Sequence, residues 1–103
     1  MKTYKVVIAQ KAKDQMQAYL RYIKNELKNP QAAKSIRDDW KETKKTLSIT
    51  AGSFAIADSP KLKAQKLRKI HFKKHQYVML YRLNGDVAEV VKIYHDLQDY
   101  ENY

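Results

Sequence analysis

The sequence predicts an α+β domain: an N-terminal strand, a helical hairpin, then an antiparallel three-stranded meander, all forming one sheet with the helices on one face. Three observations carry this reading. A β-branched alternation opens the chain, two stretches of helical apolar periodicity follow it, and the last third is rich in strand-forming residues broken by one Asn-Gly pair.

In "TYKVVIA", Tyr4, Val6 and Ile8 alternate with Lys5 and Val7, which suits a half-buried strand near residues 2 to 8. From Lys11 the period changes. Met16, Tyr19, Leu20, Ile23 and Leu27 fall on one side of a helix running to about Lys28, while Lys13, Arg21, Lys24 and Lys28 lie elsewhere on it. In "NPQAAKSIRDDW", Asn29 is placed to cap a second helix that has Pro30 at its first position. Ala33, Ile36, Trp40, Thr43 and Leu47 carry that helix on, so the two form a tight antiparallel hairpin. "ITAGSFAIADSPK" combines glycine, proline and small polar residues and predicts a loop crossing to the sheet.

In "LRKIHF" the apolar pair Ile70 and Phe72 marks the core side of a strand, so Lys69 and His71 face away from the core. "QYVMLYRL" and "VAEVVKIYH" pair around "NGD", whose Asn-Gly favours a type I′ turn. The other face of the sheet is left for solvent or a partner. The acidic, aromatic tail "DLQDYENY" either packs as a short extension or frays.

A chain of 103 residues, 44% hydrophobic, makes one domain spanning 1 to 103. With no cysteine, packing alone holds it together, which suits a reducing, cytoplasmic setting. No apolar run reaches the roughly 18 to 20 residues needed to span a bilayer, and a signal-peptide pattern is lacking, so a soluble, unprocessed protein with no membrane partner is expected. Metal ligation and a bound cofactor have no support in the spacing of the three histidines.

The formal charge of +10 points to an anionic partner, and it is concentrated. Between Ser59 and Gly85 there is no acidic residue, while Lys61, Lys63, Lys66, Arg68, Lys69, Lys73, Lys74 and Arg82 are basic. Lys66, Arg68, Lys69, Lys73, Lys74 and Arg82 are candidates for binding nucleic acid or an acidic protein; the alternative is a solvated strand edge whose lysines deter aggregation. His71, between cations, and His95, at the end of the last strand, are candidate catalytic groups; His75 sits in a turn. Among the eight tyrosines, Tyr77, Tyr81, Tyr94, Tyr100 and Tyr103 have the chemistry to stack on bases, though strand tyrosines serve more often as core.

The order of "YKVVIAQKAKDQ", "YIKNELKNPQAA", "LRKI" and "QYVMLYRLNGDVAEVVKIYHDLQDY" resembles the RelE/ParE superfamily of toxins from type II toxin–antitoxin modules, over nearly the whole chain. The resemblance implies a small basic toxin that stabilises a plasmid or chromosome and is neutralised by an acidic antitoxin. RelE-like members cut mRNA on the ribosome without a metal; ParE-like members inhibit DNA gyrase and are not nucleases.

For the nuclease, Lys69 and His71 resemble the second-strand cationic pair, but Val78 holds the position of the third-strand arginine and Arg82 lies further along. His71 or His95 would take the ribose 2′-OH proton, with Lys69 and Arg68 or Arg82 stabilising the phosphorane. The closing "KIYHDLQDY" looks closer to the ParE-like side. Gyrase inhibition is therefore the favoured expectation, ribosome-dependent mRNA cleavage the alternative, and an inactive antitoxin-binding homologue a third.

Overall fold

The computed structural model describes residues 2–54, 56 and 60–95. Strand β1 (Lys5–Ile8) leads into helix α1 (Gln10–Arg21), which widens into a π-helical turn at Tyr22–Glu26. Helix α2 (Pro30–Thr50) returns and ends in a short 3-10 turn at Ala51–Ser53. A short helix α3 (Pro60–Ala64) precedes β2 (Arg68–His71), β3 (Tyr77–Asn84) and β4 (Val87–His95).

Among the described residues these strands form one four-stranded sheet in the order β1-β4-β3-β2. β1 runs parallel to β4, Lys5 facing Val87 and Ile8 facing Val90, while β2, β3 and β4 are antiparallel neighbours. The expected α+β architecture is what the chain adopts.

The hairpin tip turns on two residues. Lys28 takes a left-handed φ of 51°, which lets the Asn29 N–H reach back 3.0 Å to the Ile23 carbonyl. The Asn29 side chain then accepts the Ala32 N–H at 3.1 Å, capping α2 with Pro30 in its first turn as the sequence predicts. A lysine at positive φ carries a steric cost that glycine avoids. Lys28→Gly should therefore raise stability by about 0.5–1 kcal/mol, the gain in the left-handed region outweighing the added chain entropy. A urea midpoint equal to or below that of the parent protein would contradict this account.

One face of the sheet packs on the helical hairpin. Ala12, Met16 and Leu20 of α1 and Ala33, Ile36 and Leu47 of α2 meet Ile70, Phe72, Tyr77, Met79, Tyr81, Ala88, Val90 and Ile93. Tyr81 is fully buried and donates its hydroxyl to the Ala51 carbonyl at 2.7 Å; burial pushes its phenol up to about 12.

Val78, Leu80 and Tyr94 point the other way, and here the expectation of an uncovered second face needs correction. The crossover is not all loop: α3 lies within it, and its Leu62, with Leu67, packs onto those three residues. The first five residues of β3, 77 to 81, central in the sheet and clothed on both faces, accordingly read as an unbroken apolar run. Nearer the β3–β4 turn the second face is open, with a hollow of about 400 Å³ between Val7, Arg82, Leu83, Asn84, Val87 and Glu89.

Two details of the closing hairpin also differ from expectation. Asn84 pairs with Val87, so the loop is Gly85–Asp86, and only Gly85 has positive φ (61°), the φ pattern of a type II′ turn rather than I′. Leu80 faces Lys92 but Tyr81 faces Val90, so Val91 is the extra residue of a bulge. The bulge lets both Val90 and Ile93 face the helices, with Val91 packed on the opposite side. The ladder shift is supported from α1, where Gln15 accepts the Ile93 N–H at 2.9 Å.

Candidate functional site

The cations singled out in the sequence fall into several groups. Lys69 and His71 project from β2 beside Leu80 and Val78, their ladder partners, on the face that carries α3. Arg68 alternates to the helix face, where its guanidinium donates to the Phe54 carbonyl and so ties the crossover to the strand edge. Ile56 bridges to the same residue. Arg82 lies toward the far end of β3, pairing with Glu89 at 3.3 Å. Lys66 sits at the corner between α3 and β2 with φ of 57°. Lys73 and Lys74 belong to the β2–β3 turn.

Lys92 lies close to Lys11 and Lys61. Its amine titrates below the ordinary lysine value, first because burial disfavours the charge and then because the other two ammonium groups repel it.

The three histidines occupy three environments. His71 is exposed on the α3 side of the sheet. His95 stacks edge-on to Tyr77, 5.1 Å between centroids, on the helix side, where both line a hollow of about 390 Å³ with Tyr19, Tyr22, Ile23 and Leu27. The sheet therefore lies between His71 and His95. The acidic tail from Asp96 onward lies outside the described residues.

His75 is the most constrained of the three. Asp39, 3% exposed, accepts the backbone N–H groups of Lys73, Lys74 and His75 at 3.2, 2.9 and 2.9 Å. It also accepts from His75 Nδ1 at 2.9 Å. Because the carboxylate only accepts, Nδ1 carries the proton, and Nε2 faces Ser35 Oγ at 3.3 Å. Burial alone would raise the Asp39 pKa. The His75 hydrogen bond and the three backbone donors outweigh it, holding the carboxyl below its ordinary 3.8.

This latch joins the middle of α2 to the tip of β2–β3 and forms one wall of a cleft of about 580 Å³ that Lys34, Lys73 and Lys74 share with Asp38 and Glu42. The sequence reading missed Asp39, although its signal is present: it lies three residues after Ile36 and four before Thr43, a lone acid on the buried stripe.

The outer side of the hairpin carries a second cationic surface. Gln17, Leu20 and Arg21 of α1 and Lys24 of the π-helical turn face Arg37 and Trp40 of α2 across a crevice of about 320 Å³, and the Lys44 ammonium lies 4.0 Å over the Trp40 ring. Among the described residues there is no grouping of acidic and histidine side chains that would hold a metal ion, and no helix is long and apolar enough to cross a membrane.

A strand, a helical hairpin and a three-stranded meander with a strongly basic surface define the class: a RelE/ParE superfamily toxin. The sequence pattern described as "ParE toxin of type II toxin-antitoxin system, parDE" matches residues 6–100, and the chain belongs to that family. In structure it is similar to a protein described as the chromosomal ParDE TA system from P. aeruginosa, with a TM-score of 0.72 at 18% identity, covering 90% of this chain and 96% of the other. At that identity the likeness speaks for the fold. No curated protein matches in sequence.

Proposed function

We propose that this toxin arrests growth by binding DNA gyrase, and that it does not cut mRNA. The observation that carries the reading is the dispersal of the histidines: His71 and His95 are on opposite faces of the sheet, and His75 is tied to Asp39. Metal-free cleavage of RNA needs a base and an acid on either side of one phosphate, a geometry that His71 and His95 do not offer together. Val78, at the position where the nuclease branch carries arginine, is buried under α3, and Arg82 is engaged by Glu89. Membership of the ParE family points the same way. An antitoxin partner goes with that membership, and the charge of +10 suits an acidic one.

The test is a supercoiling assay with purified gyrase and micromolar toxin, alongside induction in cells. The expected result is loss of supercoiling, filamentous growth, and toxicity within about twofold of the parent in His71→Ala and His95→Ala. Transcripts cut within translated codons, together with an unaffected gyrase, would assign the toxin to the ribosome instead. If neither target responds, the chain is an antitoxin-binding homologue without toxic action.

A further inference from the structure

We propose that the outer crevice between α1 and α2 binds the phosphate backbone of nucleic acid, independently of base sequence. The inference does not depend on gyrase being the target.

Arg21 and Lys24 on one helix face Arg37 on the other, with Gln17 and Trp40 between them and no carboxylate in the lining. Among the described residues none of these three cations is in an ion pair. Lys13, Lys41 and Lys44 extend the same surface. The Lys44 amine is held below the ordinary lysine value, first by burial and then by repulsion from Lys41 and Lys13, so positive charge accumulates here without internal compensation. Trp40 adds a partly exposed ring, and its buried Nε1–H has no acceptor among the described residues.

The spacing suits a repeating anion. Lys13, Gln17, Arg21 and Lys24 recur every three or four residues, along about 16 Å of helix at 1.5 Å per residue. That length matches about five base pairs of a duplex at 3.4 Å each. The facing row of Arg37, Lys41 and Lys44 runs antiparallel to it at the usual helix separation of about 8–10 Å. Arginine forks also suit bidentate contacts with phosphate oxygens.

An acidic protein would need more than charge. Stable protein interfaces centre on buried apolar anchors, and among the described residues the exposed large hydrophobics, Val7, Tyr22, Leu27, Ile49 and Ile56, all lie outside the crevice. Leu20, at its floor, is already buried. Phosphate contacts need only donors and positive charge.

The experiment uses the full chain, with fluorescence anisotropy of labelled probes: two duplex DNAs of unrelated sequence and a single-stranded RNA. Trp40, the one tryptophan of the chain, reports directly on the crevice. The two duplexes should bind with equal affinity and quench Trp40. The triple variant Arg21→Ala, Lys24→Ala, Arg37→Ala should bind at least tenfold more weakly at 0.1 M salt. Its slope of log K against log salt should be shallower by about 2–3, near 0.9 per lost phosphate contact. Comparison of the DNA and RNA arms identifies the preferred polymer, and binding of either supports the site.

A control triple, Lys28→Ala, Lys45→Ala, Lys63→Ala, removes the same charge elsewhere and should change affinity less than threefold. Circular dichroism confirms that both variants fold. Equal losses in the two triples would mean a diffuse electrostatic effect and overturn the site. So would unchanged binding by the first triple. Quenching of Trp40 by an acidic peptide but not by nucleic acid would reassign the crevice to a protein partner.

Discussion

Asp39→Ala is expected to lower the stability of the toxin by about 3–5 kcal/mol, because it strands three backbone N–H groups and a histidine that one buried carboxylate now satisfies. Trp40 fluorescence in urea gives the free energy, and the melting temperature should fall by something on the order of 15 °C. His75→Ala, which leaves the three backbone bonds in place, should cost only about 1 kcal/mol. The contrast between the two variants separates the carboxylate's role from that of the ring.

The same group sets a pH dependence with a definite sign. Asp39 titrates below 3.8 in the folded chain, so the unfolded chain binds a proton more readily. The stabilisation is fully present above the unfolded value near 3.8 and is lost as pH falls through the lower folded value. The difference in stability between the parent and Asp39→Ala should therefore shrink on acidification below about pH 4 and stay level above about pH 5. A difference that stays constant down to pH 2, or a loss under 1 kcal/mol at neutral pH, would show that the β2–β3 turn holds itself.

What the sequence disclosed, and what it hid, follows the range of the forces involved. Helical periodicity and the Asn29-Pro30 cap are local, so α1 and α2 were legible from their own residues. The parity of Ile70 and Phe72 against Lys69 and His71 was legible for the same reason. The Val91 bulge was not, since it arises from how β4 meets β3, and it reverses the face of every residue beyond it. Arg68 looks like the other cations in the sequence because charge there carries no direction; strand alternation sends it to the helix face and the Phe54 carbonyl. The Asp39 latch spans more than thirty residues, and only the breach of the apolar stripe by one acid announced it. The facing of Arg21 and Lys24 on Arg37 likewise follows from packing two antiparallel helices, each of which alone shows only a solvated side.

Leu62→Ala carries the second large effect, and it tests why the second face of the sheet is partly closed. Helix α3 has five residues, too short to stand by its own hydrogen bonds, so its position depends on what it buries. Leu62 is fully buried, and with Leu67 it covers Val78, Leu80 and Tyr94. Truncation removes that contact and leaves a void against β3, at a cost of about 2–4 kcal/mol. The loss should be uneven. Amide hydrogen exchange over residues 60–71 should accelerate far more than exchange over α1 and α2, because the hairpin packs on the opposite face and keeps its own core. Uniform acceleration across the chain would mean that the two faces fold as one unit and that α3 is no separate cover. Local acceleration would make α3 a part that opens on its own, carrying Lys61 away from Lys92 and exposing Val78, Leu80 and Tyr94.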